Sequence, residues 1–182
     1  AKMKNSVQIA MEFDNMLPAF DRPQYTEMYE GFFHLNNMEG NVENTVMNYI
    51  IRDHSMEIFE NRKALVNQVV AFLNAKYGEG TVEIKMNDSY YNMAEKILPH
   101  MFLLDIAAEA FKELGIDTPV VTPVRGGTDG ARLSYRGLPC PNLCTGGENF
   151  HSRFEFVSVE SMEKITDMLV KLIENSVTDG KM

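Results

Sequence analysis

The sequence predicts an α/β protein in two blocks, and three observations carry that reading. Up to about residue 90 the hydrophobic periodicities run in the order α-β-β-α-β. Beyond residue 96, helical stripes alternate with short apolar runs, the pattern of an α/β layer. Between them, residues 88–96 are polar and lack either period, which makes them the expected domain boundary. The first block matches a ferredoxin-like α+β unit, β-α-β-β-α-β, without its opening strand. The chain is therefore expected to begin inside a domain, with both helices of that block on one face of an antiparallel sheet.

Taken in order, Met3, Val7, Ala10, Phe13 and Leu17 fall at helical spacing, and Pro18 ends that helix. Residues 18–30 form a polar connection containing prolines. Gly31–Met38 and Thr45–Arg52 read as strands joined by a turn at Gly40-Asn41, a hairpin. Ser55 is placed to cap a helix over Met56–Tyr77, with Phe59, Leu65, Val66, Val69, Phe72 and Leu73 as its stripe and Gly78 at its end. Thr81–Met86 alternates as a half-buried third strand should. In the second block Pro99 suits the first turn of a helix that runs to Leu114, with Leu103, Ala107, Phe111 and Leu114 on one face. Pro119–Val124 and Pro139–Leu143 read as short buried strands, Asp129–Tyr135 as a short helix and Phe154–Val159 as a last strand. Ser161–Glu174 is a helix with Met162, Ile165, Leu169 and Leu172 inward, and 176–182 is expected to fray.

Composition narrows the function. With 45% hydrophobic and 24% charged residues the chain suits a globular core, and its net charge of −9 would repel a phosphate backbone. Neither a membrane span nor a nucleic-acid partner is expected. Two cysteines, Cys140 and Cys144, exclude a disulfide framework and fit a reducing cytoplasm.

The chemistry gathers in residues 123–157, where Gly126-Gly127 and Gly146-Gly147 are flanked by Arg125, Asp129, Arg132, Glu148 and His151. Two glycine loops carrying polar side chains read either as two walls of one site or as structural loops. His151, in a loop ahead of a strand, is a candidate metal ligand, because imidazole suits Zn²⁺. His34, His54 and His100 take the structural reading. Cys140, Cys144 and His151 do not make a zinc site, since a closed site takes four ligands at shorter repeated spacings. Asp129 reads equally as ligand, cap or turn former. Arg125 and Arg52 are either surface charges or a two-pronged grip on a carboxylate. No Ser-His-Asp set, phosphate loop or dinucleotide fingerprint is present.

The segments RGGTDGARLSYRGLPCPN (125–142) and TGGENFHSRFEFVSVESME (145–163) closely resemble the C-terminal part of tripeptide aminopeptidases of the two-zinc exopeptidase family. That family includes carboxypeptidase G and succinyl-diaminopimelate desuccinylase. YEGFFHL (29–35), YIIRD (49–53) and YYNM (90–93) resemble the same proteins further upstream, in the right order. The resemblance implies that residues 1–90 are most of a lid that also dimerises, and residues 91–182 the C-terminal portion of a zinc-exopeptidase α/β catalytic domain. It makes His151 a ligand of one of two zinc ions, and Arg125 and Arg52 the holders of the substrate's free carboxylate. Asn44 matches a lid asparagine that polarises the scissile carbonyl, although its spacing to Arg52 is shorter than in relatives. The remaining zinc ligands and the general-base glutamate have no counterpart here. The implied function is removal of the N-terminal residue of tripeptides by zinc-activated water, with a homodimer formed through the lid. This chain would be a part of that enzyme, unable to hold zinc tightly or act alone. The alternatives are a non-catalytic dimerisation or binding module, or another amidohydrolase of the family.

Overall fold

The computed structural model describes residues 3–116 and 120–178. It resolves into two compact units, Ala1–Asn92 with Pro123–Gly126, and Met93–Thr122 with Gly127–Met182.

The first unit is two helices on a hairpin. Helix α1 (Ser6–Met16) starts at Asn5, whose side chain accepts hydrogen bonds from the Val7 and Gln8 amides. It buries Ile9, Ala10 and Phe13, and Leu17 follows them into the core, while Met3 stays exposed. Strands β1 (Phe32–Gly40) and β2 (Thr45–Arg52) pair antiparallel, with Phe33 opposite Ile51 and Leu35 opposite Tyr49. Helix α2 (Met56–Tyr77) is capped by Ser55 and ends at Gly78, within the expected bounds. Its Val66, Val69 and Leu73 meet Ile9, Phe13, Leu17 and Phe33 in one core, against which Met47, Tyr49 and Ile51 of β2 also pack. Period-2 alternation then sends Phe32, His34, Ile50 and Arg52 to the other face. A register shift between Leu35 and Asn37 twists the hairpin away beyond that point.

The third strand expected at Thr81–Met86 does not form, so the sheet of this unit has two strands among the described residues and the ferredoxin-like arrangement is not reached. Val82 and Met86 still pack against the core. The Asn74 amide explains how: it donates to the Val82 carbonyl at 2.9 Å and accepts from the Val82 amide at 2.8 Å. A side chain thus satisfies the backbone groups that a neighbouring strand would otherwise pair.

In the second unit, α3 (Ala94–Ile97) and a 3₁₀ turn at Leu98–His100 precede α4 (Phe102–Glu113). Pro99 therefore sits in the 3₁₀ turn and not in the first turn of α4. Helix α5 (Asp129–Tyr135) matches its expected bounds. A two-residue ladder joins β3 (Gly147–Glu148) to β4 (Phe156–Val157), all that forms of the expected strand 154–159. Helix α6 (Val159–Thr178) packs on α4 through Ala110, Phe111 and Met168, with Ile165 and Leu172 beside them. Met162 and Leu169, expected inward, are exposed, so the buried stripe is rotated onto Met168. The segments 120–124 and 139–143 are not strands: Val120 and Val121 are 84% and 73% exposed, and neither run has a ladder partner among the described residues. Pro119 and 179–182 lie outside the described residues, and residues 176–178, expected to fray, continue α6.

A phenol ties α1 to the sheet. Tyr49 donates to Asp14 at 2.5 Å, and Arg22 closes on the same carboxylate at 3.0 Å. Burial first, then the Asp14 bond, pushes the Tyr49 hydroxyl well above its usual value of 10.0. An acid held neutral in the fold stabilises it fully below its unfolded pKa and loses that contribution as pH rises toward the folded one. Urea unfolding at pH 8–11 is expected to show stability falling above pH ~10, at up to about 1.4 kcal/mol per pH unit for this one proton. Tyr49→Phe is expected to cost about 1–2 kcal/mol at pH 8 through the bereaved Asp14, and to fall less steeply above pH ~10.

Candidate functional site

The free face of the hairpin carries the chemistry. Phe32 lies opposite Arg52 and His34 opposite Ile50 across the ladder. The 18–31 connection brings Pro23 to the same face, and Pro123–Gly126 brings Arg125. Together Pro23, Phe32, His34, Ile50, Arg52 and Arg125 line an open cleft of about 340 Å³.

The two guanidinium groups are held without an acidic partner. Arg125 lies with its guanidinium carbon 4.8 Å from the Phe32 ring centroid. Its Nη1 donates to the Thr26 carbonyl and its Nη2 to Thr26 Oγ1. Its Nε is buried and meets no acceptor. Arg52 Nη1 donates to the Arg125 carbonyl at 2.8 Å, and its guanidinium carbon is 5.6 Å from the Tyr90 ring centroid. Among the described residues neither arginine forms an ion pair, whereas Arg22 and Arg62 do. Two arginines without ion-pair partners among the described residues thus share a cleft with Phe32 and Ile50, in a chain of net charge −9.

A charge cluster built on buried Arg62 and Asp53 fixes this frame. Arg62 of α2 donates from Nε to Asp53 at 2.9 Å and from Nη1 to Asp21 at 2.6 Å, over the Phe33 ring at 5.2 Å. Asp53, next to Arg52, has a side chain only 3% exposed. Gly31 permits this closure, since a Cβ there would stand 2.0 Å from Asp53 Oδ2.

Of the residues singled out from the sequence, the structure brings Arg52 and Arg125 together. Asn44 is exposed in the hairpin loop, where its carbonyl accepts from the Asn41 amide at 2.9 Å. That loop is at the far end of β2 from Arg52, roughly 25 Å away by strand rise, so Asn44 is not in the cleft. His151 belongs to the second unit, exposed, at φ 64, with its amide donating to Glu155 Oε2 at 2.9 Å. Asn149 also takes positive φ, 55, so the loop holds two non-glycine residues in a costly region. Gly146 (φ +72) lets that loop seat on α6, where a Cβ would be 2.8 Å from Ser161 Cβ. Asp129 stands in the first turn of α5, where a carboxylate suits the positive helix end. Among the described residues no group of three or more His, Cys, Asp or Glu side chains could hold a metal ion. His34, given a structural role from the sequence, lines the cleft, and Thr26, which accepts from Arg125 without lining the cleft, was not singled out at all. For His34 a signal existed: one residue from buried Phe33 on a strand, it must face away from the core, as Arg52 does.

The family model described as peptidase family M20/M25/M40 matches residues 13–175. The chain belongs to this family. Among M20-type relatives, a protein named Peptidase T from Caldanaerobacter subterraneus subsp. tengcongensis is 54% identical over 95% of this chain and 42% of its own length. Peptidase T of Alkaliphilus oremlandii gives the same figures, 54%, 95% and 42%. Peptidase T of Exiguobacterium sibiricum is 51% identical over 99% of this chain and 44% of its own length. The chain thus spans less than half the length of these relatives. A crystal structure of a tripeptidase from Staphylococcus aureus aligns over 94% of this chain and 45% of its own with a TM-score of 0.63; at 19% identity it speaks for a shared fold alone. Among the described residues no helix is long and apolar enough to cross a membrane.

The frame can be tested through its most buried charge. Asp53→Ala is expected to cost about 3 kcal/mol, because it strips a partner from an Arg62 that stays buried. Chemical denaturation measures it, and a loss under 1 kcal/mol would show that Asp21 alone compensates.

Proposed function

We propose that this chain is the carboxylate-binding part of a tripeptide aminopeptidase, an enzyme that removes the N-terminal residue of tripeptides. One observation carries the proposal: Arg52 and Arg125 stand side by side without acidic partners, in a chain about half identical to proteins named Peptidase T. A free C-terminal carboxylate against these guanidinium groups, with the neighbouring side chain on Phe32 and Ile50, would set peptide length from the far end. Asn44 is retained as a candidate for contact with the scissile carbonyl only in an arrangement that brings the hairpin tip to another molecule.

The residues described here do not fit a two-zinc centre by themselves. His151 is one imidazole, and catalytic zinc takes about three protein ligands. The proposal keeps His151 as one ligand and assigns the other ligands and the general base to the length of the relatives that this chain does not match. Homodimerisation through residues 1–90 is part of the proposal, supported by exposed Met38, Val42 and Val46 at the distal end of the hairpin. A reducing cytoplasm suits the two unpaired cysteines, Cys140 and Cys144.

Incubated with trialanine and excess Zn²⁺, the purified chain is expected to give no free alanine. Turnover that persists in preparations freed of other peptidases would overturn the reading of an incomplete centre. By calorimetry the chain is expected to bind trialanine roughly tenfold more tightly than trialanine amide. Arg52→Gln is expected to erase that preference. Equal binding of acid and amide by the unaltered chain would remove the carboxylate site from the account.

A further inference from the structure

We propose that His34 is a specificity-determining residue that reads the side chain beside the gripped carboxylate, and that the cleft favours peptides ending in glutamate. The inference rests on the carboxylate-binding reading above and names the class of peptide that the same cleft prefers.

Strand parity puts His34 in the cleft. Phe33 beside it is fully buried, so His34 faces the other way, with Phe32, Ile50 and Arg52. It pairs with Ile50 across the ladder, and the next pair along that face is Phe32 with Arg52. The residue is half-buried, yet among the described residues its ring makes no hydrogen bond, ion pair or aromatic contact. His54 and His100 are different. His54 Nδ1 meets the Tyr29 carbonyl at 3.2 Å and its ring lies edge-on to Tyr29, and the His100 ring lies edge-on to Phe102. An imidazole kept partly from water with no partner is open to a ligand.

The spacing fits one amino-acid side chain. The step from the Phe32–Arg52 pair to the His34–Ile50 pair is about 7 Å by strand rise. The two carboxylate carbons of an extended glutamate are about 5 Å apart by bond geometry, and those of an aspartate about 4 Å. With the main-chain carboxylate on Arg52 and Arg125, the glutamate methylenes lie on Ile50, which is 37% exposed, and the second carboxylate arrives at His34. Imidazole has a ring N–H to donate in either protonation state. Charge favours the same peptide. No acidic side chain lines the cleft among the described residues, so the second carboxylate meets two guanidinium groups and an imidazole without a like charge beside it. Glutamine has the same shape and no charge, and it isolates this contribution.

The test measures binding of Ala-Ala-Glu, Ala-Ala-Gln, trialanine and trialanine amide to the full chain by calorimetry at neutral pH. Ala-Ala-Glu is expected to bind roughly tenfold more tightly than Ala-Ala-Gln, the effect of one charge-assisted hydrogen bond. His34→Leu is expected to bring the two within about twofold, the remainder being screened attraction to the arginines. Equal binding of the Glu and Gln peptides by the unaltered chain, with trialanine still preferred to its amide, would overturn this inference and leave the carboxylate reading standing. Equal binding of trialanine and its amide would remove that reading, and this inference with it. A folded His34→Leu, judged by its circular dichroism, that keeps the tenfold preference would take the selection away from His34. Should His34→Leu not fold, the ring resonances of His34 in the unaltered chain decide, identified by their cross-peaks to the Ile50 methyl groups. A shift with Ala-Ala-Glu that Ala-Ala-Gln does not produce supports the assignment, and no shift, or the same shift with both, overturns it.

Discussion

The site depends on one ion cluster, Arg62 between Asp21 and Asp53 above the Phe33 ring. Its members come from helix α2, the connection after α1 and the end of β2, so a single side chain sets the mutual position of three pieces of backbone. Replacing such a group by apolar residues is often neutral for stability, and its merit lies in specifying one arrangement. Here the arrangement has a direct consequence. Asp53 follows Arg52, and Asp21 opens the strap that carries Pro23 and Thr26. Pinning both carboxylates on Arg62 brings the strap to the edge of the strand that presents Arg52. The cluster also pairs Asp53, the residue next to Arg52. A carboxylate left free beside Arg52 would neutralise it.

The hairpin turns this frame into a surface with two distinct faces. Its inner residues, Phe33, Met47, Tyr49 and Ile51, meet the helices, and alternation leaves Phe32, His34, Ile50 and Arg52 outside. Burial of the first set fixes the exposure of the second, because a one-residue slip would put Arg52 into the core. The bulge at Leu35–Asn37 changes the register only beyond His34, so the cleft end keeps its alternation. Cross-strand neighbours then determine the chemistry: Phe32 is paired with Arg52 across the ladder and carries Arg125 on its ring, while Arg52 lies against Tyr90.

Much of this was legible in the sequence where the signal was local. Helix α2, strand β2 and helix α5 carry their own caps, alternation or glycine punctuation, and their bounds follow from them. Thr81–Met86 also alternates, yet alternation reports which side chains are buried and not whether a neighbouring strand exists. The Asn74 amide supplies the pairing that the pattern assigned to a strand. The runs 120–124 and 139–143 failed for a related reason: apolar composition predicts burial, and burial needs a partner surface that no local window contains. On α6 the stripe was misjudged by one residue, because Met168 and Leu169 are both apolar and only the position of α4 decides between them. Arg52 and Arg125 were identified as a pair from the family resemblance, 73 positions apart in sequence. His34 follows from strand parity once Phe33 is inside. Thr26 has no such signal, since a threonine in a polar connection announces nothing until the chain places an arginine against it.

The chemistry present is lopsided, and the lopsidedness is informative. One unit holds Arg52 and Arg125 beside aromatic rings, neither with an ion-pair partner among the described residues; the other holds an exposed imidazole in a loop kept at positive φ by Asn149 and His151. Binding a carboxylate asks only for rigid donors in a sheltered place, and a hairpin with two helices behind it can provide those within one unit. Polarising water with metal ions asks for several ligands converging from separate strands and loops. A stretch under half the length of its relatives can therefore carry both arginines of the proposed carboxylate site within one unit, while no group of three or more potential metal ligands is found among the described residues. Under the carboxylate-binding proposal, recognition is local to one unit, and catalysis would have to be assembled.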